Sequence, residues 1–249
     1  MLAQAAERQR VLQGLLERSN AELESFAYVV SHDLQEPLRG IRSFSHFLSE
    51  RLGSQLDGQE RRWLDTIAGL TVRMGAQIEA LLQYSRANQQ PLALETVDLK
   101  ALLTAVCDAL AARIAEGGAR VEIAPDLPQI ECDPIRTAAI FENLIGNGIK
   151  YNDRAEKRIE VGWLPGGGPT FFVRDNGIGI PERHREAVFT IFRRLHGRDD
   201  YGGGTGAWLT ITRKHVERQG GRLWLESVPG EGTTFYFTLA PGRAEVPAA

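Results

Sequence analysis

The stretch Phe26–Phe47, FAYVVSHDLQEPLRGIRSFSHF, is the segment around which this chain is organised. It places His32 beside Asp33 within a pattern of helical spacing, and Glu36 lies one turn further on the same face. A neutral imidazole is a good nucleophile, and a neighbouring carboxylate can orient or accept its other proton. The stretch alone also fits a surface histidine on an amphipathic helix, so the rest of the sequence has to separate the two interpretations.

Helical spacing continues on both sides of this stretch. Apolar heptads precede it, and they predict a coiled-coil helix over residues 1–25. Helix breakers cluster from Gly53 to Gly58, and a second helix with an apolar stripe follows from about Gln59 to Gln89. We therefore expect an antiparallel helical hairpin over residues 19–91, and two copies would bury their stripes as a dimeric four-helix bundle.

Composition and charge exclude several classes of protein. The 249 residues are 43% hydrophobic and 24% charged, with a formal net charge of −3, as in ordinary globular proteins. This balance gives no attraction to nucleic acid, and no apolar run is long enough to span a membrane. The N-terminus lacks a signal-peptide pattern, so we expect a cytoplasmic protein. Two cysteines, Cys107 and Cys132, indicate neither a disulfide framework nor a metal site.

After Pro91 the pattern changes to short strands and helices. Strands are predicted at 97–99, 120–123, 159–163, 170–174, 221–227 and 233–239, and helices at 99–116, from Asp133 onward and at 207–219. Asp98 and Asp133 are predicted to cap the first two of these helices. Most of these strands are connected as hairpins. This order therefore predicts an α+β layered domain over residues 96–241 rather than a doubly wound parallel sheet, with a flexible tail at 242–249.

Three polar residues share one face of the helix that begins near Asp133. Asn143 and Asn147 are one turn apart, and Lys150 continues the same face. Two amide oxygens and a lysine suit a Mg²⁺–polyphosphate ligand, because Mg²⁺ prefers oxygen ligands and often keeps coordination sites for phosphates. The alternative is an ordinary solvated polar face.

Two glycine-rich turns carry further candidates. Asp175 ends a predicted strand, and Gly177 and Gly179 follow it; the glycines would let a flat base approach the backbone while the carboxylate accepts a hydrogen bond from its amine. The alternative is a common tight turn. The second turn, Gly204–Thr205–Gly206, leads into a helix and could offer backbone N–H donors to phosphate.

In this order, the motifs resemble those of sensor histidine kinases of two-component signalling. SHDLQEPLR resembles the phosphoacceptor box, ENLIGNGIKYN the N box, DNGIGIP the first glycine box, FTIFRRLHG the F box and GGGTGAWL the second glycine box. HDLQEPLR together with FRRLHG is most similar to the kinases linked to phytochromes. The resemblance covers about residues 19–241. It implies a dimerisation and histidine-phosphotransfer hairpin, followed by an α/β-sandwich ATP-binding domain of the GHKL superfamily.

The resemblance also implies roles for individual residues. His32 would accept the γ-phosphoryl group of ATP, and Asp33 would orient and activate it. The implied ligands of Mg²⁺ and ATP are Asn143 and Asn147 for Mg²⁺ and phosphates, Lys150 for phosphates, Tyr151 beside the adenine, Asp175 for its amino group, Gly177 and Gly179 around the base, and Gly204, Thr205 and Gly206 in the phosphate loop. The implied partners are a second copy of the chain, a response-regulator receiver domain and a sensor domain upstream of this chain.

Three positions depart from the family pattern. Trp208 stands where the second glycine box usually ends in glycine; if that site needs a positive φ or close approach to phosphate, the strain costs roughly 1–3 kcal/mol and weakens ATP binding. Gly148 stands where alanine is common. Glu36 replaces the Thr or Asn that positions water in many relatives, which argues against phosphatase activity of that kind.

Two other functions fit parts of the sequence. A dimeric docking or allosteric module with impaired ATP binding would agree with Trp208. A GHKL ATPase of another kind, gyrase-like or chaperone-like, would agree with the second half alone, but the hairpin carrying His32 argues against it.

Overall fold

The computed structural model describes residues 8, 14, 29–31, 33–52, 55–89, 91–166, 168–193, 195, 201 and 205–239. The predicted coiled coil over residues 1–25 lies outside these residues except at two single helical positions, and so do His32, Gly204 and the tail 242–249. Two compact units make up the chain, Met1–Gln89 and Gln90–Ala249. Within the described ranges, no helix is both long and apolar enough to cross a lipid bilayer.

The first unit contains two long helices. Helix α1 covers residues 33–52, with 29–31 also helical, and α2 is Gly58–Gln89. Asp57 caps α2, because its Oδ1 accepts hydrogen bonds from the backbone N–H groups of Gln59 (2.7 Å) and Glu60 (2.8 Å). The Glu60 carboxylate in turn accepts from the N–H of Asp57 (3.0 Å). This reciprocal capping box fixes the start of α2 within a residue of the predicted position.

Each helix of this unit has one buried and one exposed apolar side. Leu38 on α1 packs with Ile78 and Leu82 on α2 in a small buried cluster, and Gln35 Nε2 donates to Glu79 Oε2 across the pair (3.2 Å). The exposed apolar side chains recur at helical spacing: Leu34, Ile41, Phe44 and Leu48 on α1, and Trp63, Ile67, Leu70 and Met74 on α2. We call these two exposed rows the apolar stripes.

The second unit is a layered α+β domain, as predicted. Its strands are β1 (Glu95–Asp98), β2 (Ala119–Ile123), β3 (Gln129–Cys132), β4 (Lys157–Leu164), β5 (Thr170–Asp175), β6 (Leu223–Val228) and β7 (Gly232–Thr238). Its helices are α3 (Leu99–Ala109), α4 (Ala111–Gly117), α5 (Pro134–Lys150) and α6 (Trp208–Arg218), with 3₁₀ turns at Glu182–His184 and Ala187–Phe189.

The main sheet has the order β2-β4-β5-β7-β6. Only β2 and β4 pair in parallel; the other neighbours are antiparallel. One layer of the core consists of three aromatic rings that are fully buried between α5 and the sheet. The ring of Phe141 lies 5.2 Å from that of Phe237 and 6.4 Å from that of Phe171, both edge to face. This packing anchors α5 on the sheet and so positions the polar face of α5.

Two capping predictions are confirmed. Asp98 Oδ1 accepts from the N–H groups of Lys100 (2.9 Å) and Ala101 (3.2 Å), so α3 begins directly after β1. Asp133 Oδ1 accepts from the N–H of Arg136 (3.0 Å), and Pro134 occupies the first turn of α5.

Several predicted boundaries were wrong. The strand predicted at 97–99 is Glu95–Asp98, and β3 was missed. The helix predicted at 99–116 is interrupted at Leu110, whose φ of −90° and ψ of 1° separate α3 from α4. The last two strands begin and end one or two residues away from the predicted positions.

Candidate active site

The described part of the phosphoacceptor region is helical and largely exposed, apart from the buried Ser31 and Leu38. His32 lies outside the described residues, while Asp33 and Glu36 are exposed and helical. A cavity of about 680 Å³ lies between α1 and α2 and is lined in part by Glu36, Arg39, Arg42 and Glu79. Charged side chains of both signs therefore surround the groove that begins one turn beyond the histidine.

Three predicted ligands lie on the C-terminal half of α5. Asn143, Asn147 and Lys150 are all half-buried on this helix. Tyr151 follows as the C-cap; its N–H donates to the carbonyl of Asn147 (2.9 Å), and Lys150 Nζ lies 5.2 Å from the centroid of its ring. The amides, the ammonium group and the aromatic ring are therefore adjacent at the end of α5.

Asp175 ends β5 and is held by two backbone donors. Its Oδ1 accepts from the N–H groups of Gly177 (2.8 Å) and Thr233 (3.3 Å). Burial raises the pKa of this carboxyl from 3.8 to about 6, against the opposing effect of the two hydrogen bonds. Both bonds use the same oxygen, so the geometry leaves Oδ2 for a donor from a ligand. Thr233 was not predicted as a site residue.

Close backbone packing brings Asp175 to α5. A Cβ atom at Gly148 would lie 3.1 Å from Ile159 Cγ1 and 3.2 Å from Asp175 Cβ, so the helix contacts β4 and β5 where it has no side chain. This packing explains why a glycine is accommodated where the family pattern has alanine. A Cβ at Gly177 would collide with the carbonyl oxygen of Tyr151 and lie 2.9 Å from Asp175 Oδ1. The first glycine turn therefore needs a residue without a side chain at this position.

An asparagine pair that the sequence analysis missed connects α5 with the same turn. Asn152 is buried, and its Nδ2 donates to Asn176 Oδ1 (2.9 Å). Asn176 Oδ1 also accepts from the N–H of Arg158 (2.8 Å), and its Nδ2 donates to the carbonyl of Glu156 (2.9 Å). The N–H of Ile178 donates to the carbonyl of Tyr151 (3.1 Å). These bonds fix Asp175 relative to Lys150. Their only indication in the sequence was that Asn152 follows Tyr151 and Asn176 follows Asp175.

The second glycine turn packs against the F-box segment. Gly206 has a φ of +69°, and a Cβ there would lie 2.7 Å from the carbonyl oxygen of Arg193 and 3.0 Å from the carbonyl carbon of Phe192. Thr205 is buried and accepts from the N–H of Ala207 (3.4 Å). Position 206 therefore requires glycine for two reasons: its φ is left-handed, and the backbone of the F-box segment passes close to it.

Trp208 does not have the backbone strain predicted for it. Among the described residues, positive φ outside glycine occurs at Phe192 and Tyr201, and Trp208 is instead the first residue of α6. Its side chain is 39% exposed, so it does not pack inward either. The predicted strain is absent because the left-handed position is Gly206, two residues earlier. Any effect of Trp208 on nucleotide binding must come from the bulk of its indole at the start of α6.

A second aromatic residue lies at the predicted adenine position. Tyr201 has a φ of 54°, and its ring centroid is 5.7 Å from that of Tyr151, with the planes inclined by 58°. Tyr201 was not predicted as a site residue, because its contact with Tyr151 spans 50 residues of chain.

The donors at this site fit Mg²⁺ only together with a nucleotide. Within the described residues, no three His, Cys, Asp or Glu side chains cluster as a metal site. The available protein ligands are the amide oxygens of Asn143 and Asn147, which are too few to bind the ion alone. Mg²⁺ commonly takes one or two protein ligands and completes its coordination with substrate phosphates and water. The residue types present therefore agree with Mg²⁺ bound through ATP.

Two protein families match different parts of the chain. The His Kinase A (phospho-acceptor) domain matches residues 22–90, and the histidine kinase-, DNA gyrase B- and HSP90-like ATPase family matches residues 132–243. The ATPase match includes α5, both glycine turns and α6, and the phosphoacceptor match includes α1 and α2.

Individual relatives agree with these matches. Cyanobacterial phytochrome B of Nostoc sp. (strain PCC 7120) is 51% identical over 226 residues, which are 90% of this chain and 30% of that protein. The methanogenesis regulatory histidine kinase FilI of Methanothrix harundinacea is 38% identical, over 91% of this chain and 25% of its own length. The chain thus spans less than a third of either relative.

A solved structure shares the fold. Histidine kinase ThkA in complex with the response regulator protein TrrA matches with a TM-score of 0.62 and 21% identity, covering 91% of this chain and 65% of that one. Three observations lead to one conclusion: the two family matches, the phytochrome and histidine kinase relatives, and an α+β domain in which the N-box helix packs against the first glycine turn. The chain belongs to the sensor histidine kinases and is close to those linked to phytochromes.

Proposed function

We propose that this chain is an ATP-dependent protein-histidine kinase, which phosphorylates its own His32 and passes the phosphoryl group to an aspartate of a response-regulator receiver domain. One observation carries the proposal. The Asp175 carboxylate, held through Oδ1 by two backbone donors, is packed directly against the helix that presents Asn143, Asn147 and Lys150. One end of this site suits an adenine and the other suits its phosphates.

The chemistry of the site supports specific roles for its residues. Asp175 Oδ2 accepts a hydrogen bond from the exocyclic amine of adenine, and Tyr151 lines the base. Lys150 balances phosphate charge, while Asn143 and Asn147 would hold Mg²⁺ through their amide oxygens. Mg²⁺, when bound, would neutralise charge that develops on the phosphate oxygens.

In the transfer step, an imidazole nitrogen of His32 attacks the γ-phosphorus of ATP. The bond from the γ-phosphorus to the bridging oxygen breaks, and ADP leaves with that electron pair. Asp33 holds the proton on the other imidazole nitrogen and stabilises the positive charge that develops on the ring. Positioning and charge stabilisation account for most catalysis of phosphoryl transfer, which agrees with a site that has few titratable groups.

The apolar stripes support a homodimer. Phe44 is 69% exposed and Trp63 is 59% exposed, and such rows of large apolar side chains are usually covered by a partner. A second copy would convert each hairpin into half of a four-helix bundle. The receiver domain would dock beside the groove between α1 and α2, as a partner of the kind bound by the fold neighbour ThkA. An upstream sensor and a cytoplasmic location complete the proposal.

Autophosphorylation with γ-labelled ATP and Mg²⁺ tests the proposal. The parent chain should acquire acid-labile label, and His32→Ala should acquire none. Transfer of that label to a receiver domain would support the second step. A parent chain that binds ATP but forms no phosphohistidine would contradict the proposal.

A docking module with impaired ATP binding is the second candidate, and the exposed indole of Trp208 at the start of α6 favours it. The variant Trp208→Gly separates the two functions. Label on Trp208→Gly but none on the parent would show that the indole blocks the phosphate loop. Equal labelling of both chains would exclude this candidate.

A further inference from the structure

Arg113 lies over the face of α5 that carries candidate nucleotide ligands. It belongs to α4, and a Cβ atom at Gly146 would lie 3.2 Å from its Nη1, 3.3 Å from its Nη2 and 3.5 Å from its Cζ. The guanidinium group therefore occupies the space that Gly146 leaves open on α5. Gly146 itself is buried.

The position of Gly146 places this guanidinium between two predicted phosphate ligands. Asn143 is three residues before Gly146 and Lys150 is four residues after it, so all three share one face of α5. Neighbours at these spacings have Cβ atoms about 5–6 Å apart. A phosphate held by Asn143 and Lys150 would consequently be within reach of Arg113.

The charge of Arg113 is not compensated within the described chain. It has no hydrogen bond and no ion pair with any residue that the structure describes, whereas Arg120 pairs with Glu122 at 2.9 Å and Arg136 with Asp133 at 3.2 Å. A surface arginine commonly packs its stem on the protein and directs its head into water. Arg113 is exposed as a residue, but its guanidinium lies beside Gly146 of α5, with its donors available to an anion.

We propose that Arg113 binds the terminal phosphates of ATP. A planar guanidinium can donate two parallel hydrogen bonds to phosphate oxygens, which fixes orientation better than a single ammonium group such as that of Lys150. Arg113 would thereby orient the γ-phosphoryl group for transfer. This inference rests on the proposed function, because it requires the nucleotide to occupy the α5 face.

Calorimetric affinities of the full chain for ATP and AMP test the inference. Arg113→Ala should weaken ATP binding about tenfold and change AMP binding by less than about twofold, because AMP lacks the terminal phosphates. Arg113→Lys should restore part of the loss. Arg120→Ala removes an arginine of the same domain that is already paired with a carboxylate, and it should leave both affinities unchanged.

Gly146→Ala provides an independent variant that keeps the charge. Its Cβ would displace the guanidinium while favouring the helix, so ATP affinity should fall although the domain stays folded. Unchanged ATP affinity in Arg113→Ala, or equal losses for ATP and AMP, would overturn the inference alone. A parent chain that binds neither nucleotide would overturn the proposed function, and the inference with it.

Discussion

Affinity for ATP should depend on the ionisation of Asp175. Burial raises the pKa of this carboxyl to about 6, so it loses its proton close to neutrality. In the proposed site the adenine amine would donate a hydrogen bond to Asp175, and only the ionised carboxylate offers an acceptor at Oδ2 in every orientation. At pH 5 Asp175 is ionised in about one-tenth of the nucleotide-free protein, so ATP should bind about tenfold more weakly at pH 5 than at pH 7.5.

Asp175→Asn is the matched variant for this pH dependence. Its amide oxygen can keep the hydrogen bonds from Gly177 and Thr233, but its NH₂ group would then face the adenine amine. Loss of one hydrogen bond to a charged group predicts a decrease in ATP affinity of roughly 10- to 150-fold. Because the side chain at this position can no longer ionise, the part of the pH dependence that is due to Asp175 should vanish.

The same substitution should raise the stability of the nucleotide-free domain. A carboxyl whose folded pKa is raised contributes stability that is fully present below pH 3.8 and is lost as the pH rises through 6. At pH 7 the uncharged Asp175→Asn variant should therefore be more stable than the parent by about 2–3 kcal/mol in the free energy of unfolding.

Isothermal titration calorimetry from pH 5 to 7.5 on both chains measures the affinities, and urea unfolding measures the stabilities. Protonation of ATP itself is common to both chains and cancels in their ratio. A parent-to-variant affinity ratio that stays constant across this range would refute the reasoning about Asp175. So would an Asp175→Asn variant that is less stable than the parent at pH 7.

Three further predictions concern other parts of the chain. Gly177→Ala should abolish ATP binding, measured by calorimetry, because its Cβ would lie 2.9 Å from the Asp175 carboxylate. The control Gly168→Ala should bind ATP normally, because a Cβ there has no atom within 4 Å. His215, whose pKa is lowered to about 4 mainly by burial, contributes stability that is present above pH 6.5 and lost as the pH falls toward 4. Urea unfolding at pH 7 and 4.5 should therefore show an extra loss of about 2 kcal/mol in the parent relative to His215→Gln, and equal losses would contradict this. Phe44→Glu should weaken the dimer at least about tenfold by light scattering, whereas Ser43→Glu should not, and an unaffected Phe44→Glu dimer would place the interface elsewhere.

The features that the sequence predicted correctly depend on local interactions. Asp98 and Asp133 cap their helices through bonds to residues two or three positions away, which their residue types already indicate. The hairpin turn was likewise marked by its own breakers. The α5 face could be predicted because three residues at helical spacing share a side whatever the helix packs against.

The features that were missed depend on contacts between distant parts of the chain. β3 has four residues, and its pairing partner β1 is more than 30 residues away. The break at Leu110 involves no proline or glycine at that residue. Neither the contact of Arg113 with Gly146 nor the bond from Asn152 to Asn176 leaves a periodic signal, and the strain assigned to Trp208 came from a family pattern rather than from its own surroundings.

The central claim is that the ATP site and His32 act together in one phosphoryl transfer. The most direct test incubates the parent, His32→Ala and Asp175→Asn with γ-labelled ATP and Mg²⁺, and then maps the label by mass spectrometry. We expect a single acid-labile phosphate on His32 of the parent and none on His32→Ala. At an ATP concentration well below the Kd of the variant, Asp175→Asn should carry much less label than the parent. Label that persists in His32→Ala, or its absence from a parent chain that binds ATP, would show that His32 and the ATP site do not act together in this way.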